Sequence, residues 1–225
     1  MTKISDVIKR RLIEAGAKFT ANDNISKYIN DDEMKALQQE VESEFQNVLS
    51  ALVIDTENDH NTKETAKRVA KMWIKETFGG RYKKPPKITA FPNMGYKSMY
   101  TSGPISIKST CAHHFQNIVG KCWVGIIPNG EVIGLSKFNR IVHHIAERPQ
   151  LQEEMTTQIA QGLQEYAKTK HIAVVLKAEH HCMTHRGVRA HESDMTTAIM
   201  LGAFKEDPAT REEFYKICLS MKGHD

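Results

Sequence analysis

The chain reads as an α+β protein built on a largely antiparallel sheet, with a helical extension ahead of it. Three observations predict this. Apolar residues recur every three to four positions up to about residue 80, and from Pro104 the period changes to two. The strand-like segments are grouped around a pair of helices and do not alternate with helices one for one. A length of 225 residues, 40% hydrophobic and without a long apolar run, suits one domain plus an extension. The division expected is 1–90 for the extension and 91–225 for the sheet-bearing domain.

Residues 1 to about 30 are polar and weakly patterned. A helix follows in which Met34, Leu37, Val41, Phe45, Val48 and Leu52 make one stripe, with Asp31 or Asp32 able to cap it. Another helix begins near Asn61 or Thr62, carries Val69, Ala70, Trp73 and Ile74, and is stopped by Gly79-Gly80. The proline-containing stretch Lys83 to Pro92 is a connection. PISIKSTC, CWVGIIP, HIAVVLKAEHHCM and MTTAIMLGAF are the strands, rich in β-branched residues and separated by turn signals such as Pro128-Asn129-Gly130. Between them lie a helix from Ser136 to about Glu147, with Phe138, Ile141, Val142 and Ile145 on one face, and, after Pro149, a second with Leu151, Met155, Ile159, Leu163 and Tyr166.

Composition excludes several classes. The amino-terminal MTKISDVIKRRLIEAG is charged every few positions, so neither a secretory nor a transmembrane segment is expected, and no membrane partner. Four cysteines in that context point to a reducing, cytoplasmic setting, where thiols bind metal or do chemistry. The net charge of +4 is spread and not blocked, which suits an anionic small molecule and not a nucleic acid.

The chemistry is concentrated in two patches. STCAHHFQNIVG, residues 109–120, holds Cys111, His113 and His114, and AEHHCM, residues 178–183, holds His180, His181 and Cys182. Zinc favours thiolate and imidazole, and a catalytic zinc takes three protein ligands and keeps one open position. Cys111 and His114 are close enough in sequence for one turn to aim both at a single ion. Antiparallel pairing can bring Cys182, at the end of its strand, beside them. A Cys–His–Cys site follows, with His113 and His180 left as acid–base groups. Cys122 and Cys218 sit in apolar periodic contexts and read as core thiols. His143 and His144 lie on a helix and read as surface or packing residues.

GLSKFNR, residues 134–140, runs through a glycine into a helix whose expected N-cap is Ser136. Free N–H groups and the dipole at such an end attract anions. Lys137 and Arg140, three apart, share a side, and Arg186 follows the second patch in CMTHRG. Gln152 and Glu153 open the second helix. A carboxylate there can accept the N1–H and exocyclic amine of a guanine edge, a pairing adenine does not offer.

Together these segments resemble the GTP cyclohydrolase I family. CAHH, GLSKFNR, RPQLQE, HHC and RG appear in the family's order and spacing, and the likeness runs from TAKRVAKM at residues 65–72 through MTTAIMLGAF to REEF, covering roughly residues 45–219. The resemblance implies a tunnelling fold, with a four-stranded antiparallel sheet and two helices on one face as the catalytic domain. It implies a toroidal homodecamer with active sites at subunit interfaces, which hydrolyses GTP to 7,8-dihydroneopterin triphosphate and formate with one zinc ion per subunit. Carried over, it implies Cys111, His114 and Cys182 as metal ligands, and His113, His180 and Ser136 as catalytic residues. Glu153, with Gln152, would hold the guanine. Lys137, Arg140 and Arg186 would bind the triphosphate, joined by Arg68 and Lys71 from a neighbouring subunit.

Three positions depart from the family pattern. Ala112 stands where glutamate is usual, Glu154 where arginine is usual, and Ala66 where proline is usual. The first removes a carboxylate beside the metal cysteine, a loss expected to lower metal affinity or rate on the order of 10- to 100-fold. Alternatives are a non-catalytic relative that binds purine nucleotide and zinc, or a cyclohydrolase that stops at an earlier intermediate. A nitrile-reducing relative would not need the His-x-Cys patch present here, and a zinc deaminase would need H-x-E and P-C-x-x-C signatures that are missing.

Overall fold

A computed structural model describes residues 2–220, which divide into two compact units with the boundary between Lys84 and Pro85. The first unit is helical: α1 (Ile4–Glu14), α2 (Asp31–Ala51), α3 (Thr65–Met72) and α4 (Gly79–Tyr82). The segment before residue 30, weakly patterned in sequence, contains α1. Its apolar stripe is short, with Ile8 and Leu12 buried among charged neighbours. Those two join Ile25, Leu37 and Ile74 in the unit's core. Arg11 reinforces the packing by donating to both carboxylate oxygens of Glu33, at 2.9 and 2.6 Å.

The cap of α2 is Asn30, one residue ahead of the two aspartates expected. Its side chain accepts from the backbone N–H of Asp32 and Glu33, and the Glu33 carboxylate accepts from the Asn30 N–H. This reciprocal box satisfies donors that would otherwise be orphaned at the helix start. Nor does the glycine pair end the third helical run. The helix widens into a π turn over Trp73–Thr77, and Gly79 begins one further turn.

The second unit contains β1 (Ala90–Pro92), β2 (Tyr100–Cys111), β3 (Asn117–Ile126), β4 (Glu131–Ile133), β5 (Pro149–Gln150), β6 (Ile172–His180) and β7 (Met195–Met200). With them go α5 (Leu135–Ala146), α6 (Gln152–Ala167), α7 (His181–Thr184), α8 (Ala203–Glu206) and α9 (Pro208–Ser220). The unit is α+β. β2, β3, β6 and β7 pair antiparallel in that order, and the two-residue β5 adds a parallel edge on β2 that periodicity did not reveal. β1 and β4 form a separate small ribbon.

Alternation along the strands sorts side chains to two faces. Ile118, Cys122, Val124 and Ile126 of β3, with Ile172, Val174 and Leu176 of β6, pack under Phe138, Ile141, Met155, Ile159 and Leu163 of α5 and α6. Each such side chain contributes roughly 1.5–3 kcal/mol of burial. On the other face Ala173 and Val175 meet Phe204, Phe214 and Cys218 from α8 and α9. Cys122 and Cys218 are therefore core thiols, as their sequence context suggests; burial pushes Cys122 above the ordinary thiol range and Cys218 up to about 12. The segment MTTAIMLGAF is a strand only to Met200. Gly202, at a φ of 56°, turns the chain into α8, and a Cβ there would lie 2.5 Å from the His171 ring.

α5 runs alongside β2 from end to end. Phe138 meets Tyr100 edge-on at 5.8 Å between ring centroids, His143 Nε2 lies 3.0 Å from the Ser106 carbonyl, and the Ser109 hydroxyl donates to the Arg148 carbonyl. The N-cap of α5 is Gly134 and not Ser136, which lies within the first turn.

Candidate metal centre and catalytic site

Cys111 ends β2 and His180 ends β6. The two strands are not neighbours, because β3 lies between them with Thr110 opposite Asn117 and Ile118 opposite His180. Two antiparallel steps restore a common direction, so both strands end at one edge, about 10 Å apart by strand spacing. Two turns close that gap. After Cys111 the chain folds back at once, with Phe115 N–H donating to the Cys111 carbonyl and Cys111 N–H to the Gln116 carbonyl; Phe115 takes a φ of 51°. After His180 the chain enters α7 directly.

The result is a cluster in which one ligand atom each from Cys111, His114 and Cys182 lies within 4.8 Å of the others. Tetrahedral zinc with sulfur and nitrogen donors separates its ligand atoms by about 3.5 Å, so a small inward adjustment accommodates an ion. Cys111 is buried and Cys182 partly so. Burial, and then the adjacent Cys111 thiol, push the Cys182 thiol up, while Arg186 pulls it the other way. Two thiols held side by side resist ionising together, and a divalent cation removes that conflict. The donor set therefore fits a borderline metal such as zinc. His113 is exposed beside this cluster, its ring 6.3 Å from that of His114 and nearly perpendicular to it.

β5 brings the start of α6 to the same edge, since Cys111 pairs with Gln150. Gln152 follows two residues on and is fully buried. Its Nε2 donates to the carbonyls of Leu176 and Met195 and to Thr197 Oγ1, at 3.0–3.2 Å. Its Oε1 is then the acceptor 2.7 Å from His180 Nε2. This assigns the proton to His180 Nε2 and leaves Nδ1 with the lone pair. Burial holds His180 below the usual histidine range, and the nearby charge of Glu153 opposes this. Glu153 itself is exposed. The sequence pairs Gln152 with the guanine edge; the structure instead seals its amide beneath His180. Thr197 and Thr156, 2.6 Å apart, support that amide and carry no motif in the sequence. The Thr156 hydroxyl also donates to the Gln152 carbonyl.

Other predicted residues lie elsewhere. Arg186 follows α7, close enough to influence Cys182. Ser136, Lys137 and Arg140 occupy the first turns of α5, whose amino end accompanies the start of β2, whereas Cys111 marks the far end of that strand. Lys137 Nζ donates to the Lys87 carbonyl. One chain therefore does not bring these three to the thiol cluster. Arg68 and Lys71 are exposed on α3 of the first unit. The Ala112 N–H donates to the Gln150 carbonyl, tying the turn after Cys111 to β5.

The chain is similar in sequence to known proteins over most of its length. The GTP cyclohydrolase I family model matches residues 41–219. "GTP cyclohydrolase 1" of Vibrio vulnificus (strain YJ016) is 43% identical over 179 residues, covering 79% of this chain and 82% of that protein. "GTP cyclohydrolase 1" of Shewanella loihica is 42% identical over 182 residues, covering 80% and 85%. That of Aliivibrio fischeri (strain MJ11) is 42% identical over 179 residues, covering 79% and 82%. A match across most of both lengths, together with the convergence of Cys111, His114, Cys182 and His180 at one sheet edge, places this enzyme: the chain belongs to the GTP cyclohydrolase I family.

Proposed function

We propose that the chain hydrolyses GTP to 7,8-dihydroneopterin triphosphate and formate, with one zinc ion per subunit held by Cys111, His114 and Cys182. The observation that carries this reading is the meeting of that donor set with His180 and the Glu153-bearing start of α6 at one edge of the sheet. When bound there, zinc supplies Lewis acidity and makes hydroxide available near neutral pH.

The chain's own groups do the rest. Opening the imidazole ring at C8 requires a proton at N7, and release of formate requires a second proton transfer; histidine titrates in the right range for both. His113 and His180 carry these protons, His180 through Nδ1, because its Nε2–H is fixed on Gln152. Gln152 is thus a positioning residue in this scheme, and Glu153 alone accepts the guanine N1–H and amine. Ser136 assists the later sugar rearrangement. Lys137, Arg140, Arg186, Arg68 and Lys71 bind the triphosphate.

The distance between the α5 amino end and the thiol cluster along β2 favours a site completed by a neighbouring copy, consistent with a toroidal decamer of tunnelling-fold subunits. Mixing Lys137→Ala with Cys182→Ser, each inactive alone, restores part of the turnover if the site is shared; no recovery after subunit exchange assigns both residues to one protomer. Among the described residues no helix is long and apolar enough to cross a membrane.

Incubation with GTP, following pterin absorbance and formate with and without a chelator, tests the activity. Chelator-sensitive production of both is expected. Ala112 supports a second reading, a family member that binds nucleotide but stops early or does not turn over. GTP binding without formate would favour it.

A further inference from the structure

A second group of potential metal ligands stands beside the first and shares no residue with it. One ligand atom each of Glu179, His181 and His185 lies within 4.8 Å of the others. His181 and His185 are four apart, one opening α7 and the other capping it just after Thr184. That spacing sets two imidazoles on one helical face, the geometry by which a short His-x-x-x-His segment grips an ion. The two rings lie 4.0 Å apart at 37°. Their nitrogens converge on one carboxylate oxygen: His181 Nε2 lies 3.9 Å and His185 Nδ1 3.5 Å from Glu179 Oε1. These separations are those of atoms around a common centre, being longer than a hydrogen bond and close to the edge of a small-ion coordination sphere.

The carboxylate is held in place from behind. The fully buried Thr184 donates its hydroxyl to Glu179 Oε1 at 2.7 Å and lies 2.8 Å from His185 Nδ1. Because that hydroxyl has one proton and gives it to Glu179, His185 Nδ1 carries its own proton in this arrangement; a tautomer shift to Nε2–H opens Nδ1 to an ion and leaves the Thr184–Glu179 bond intact. The two groups are kept apart by strand alternation. Ala178 of β6 faces the α5–α6 core, so Glu179 points to the opposite side.

We infer that Glu179, His181 and His185 form a second binding site for a divalent transition metal of the zinc class, separate from the Cys111–His114–Cys182 centre. Two imidazoles and one carboxylate suit zinc, copper(II) or nickel better than magnesium or calcium, and leave a coordination position for water. An ion there would brace α7 at both ends, with Cys182 between its ligands and Arg186 immediately after them.

The test uses the full chain, stripped with chelator, reloaded with excess zinc and freed of unbound metal by gel filtration before elemental analysis. Wild type should retain two ions per chain, and His185→Ala and Cys182→Ser one each. Cobalt titration gives a second measurement that needs no Cys182 variant. In wild type the thiolate-to-cobalt charge-transfer band saturates at one equivalent while ligand-field absorption keeps growing to two, and in His185→Ala both stop at one. A single ion on wild type under zinc excess, or a second ion that survives His185→Ala, overturns the site. Neither outcome bears on the proposed GTP chemistry, which rests on the other cluster.

Discussion

Replacing Gln152 by leucine, nearly the same size, tests the most specific feature of the site. The side chain is fully buried; its two Nε2–H groups are shared among three acceptors, and its Oε1 accepts from His180. Thr197 keeps its bond to Thr156 after the change, and the Leu176 and Met195 carbonyls stay in the β6–β7 ladder, but the His180 Nε2–H loses its partner. Stranding one buried polar group costs about 1–3 kcal/mol, and the fold should lose that much, read as a drop in the urea midpoint. His180 also loses the acceptor that sets its tautomer and orientation. Loss of such a supporting partner lowers rate on the order of 10- to 100-fold.

The assay is steady-state GTP turnover at constant zinc content, with kcat and KM separated. We expect kcat to fall and KM to stay within about twofold, since the amide does not touch the guanine. Gln152→Glu should be no better despite its shape, because a carboxylate oxygen would then face the Leu176 and Met195 carbonyls. A KM rise with unchanged kcat would place Gln152 on the substrate and refute the argument. Full activity in Gln152→Glu would show that the amide N–H groups are not needed to hold His180 in place.

Three further outcomes follow from the same geometry. His113→Ala or His180→Ala should abolish turnover while zinc at the cysteine centre is retained, and loss of that ion, measured by elemental analysis, would make the histidine a ligand. Glu153→Ala should raise the dissociation constant for GTP by at least about tenfold, in line with a lost charge-assisted pair of hydrogen bonds; unchanged affinity by calorimetry removes it from the guanine site. In the first unit, Arg11 and the Asn30 N–H hold the Glu33 carboxyl at about 2, down from 4.5. A depressed carboxylate stabilises the fold above its unfolded pKa, and the contribution fades as pH falls from about 4.5 through 2. With Arg11 partly exposed, solvent screening reduces it to about 1 kcal/mol. The urea midpoints of wild type and Glu33→Gln should therefore converge across that acid range, and a pH-independent gap would dismiss the pair.

Local periodicity was enough to reveal β2, β3, β6 and β7 and the helices α2, α5 and α6, but not α9, β1 or β4, because alternation and the 3.6-residue stripe are properties of neighbouring residues. It failed where the signal was short or the partner distant. α1 offers only Ile8 and Leu12 as a stripe and gains its place by packing on residues far along the chain. β5 is two residues long and exists only because β2 runs beside it. Asn30 outcompetes Asp31 and Asp32 as a cap because only it sits three residues before a glutamate able to close the box.

Sequence alone determined the donor chemistry: two thiols and four imidazoles in two patches, a carboxylate at a helix start, and basic residues at another. Donor type is written in residue identity, so no fold is needed to read it. Tertiary structure decided which donors meet. It set β3 between the two patches, turned the Gln152 amide away from solvent and onto His180, and sent the amino end of α5 to the far end of β2. Strand register and burial arise from contacts between residues remote in the chain, and they alone separate a ligand from its neighbour.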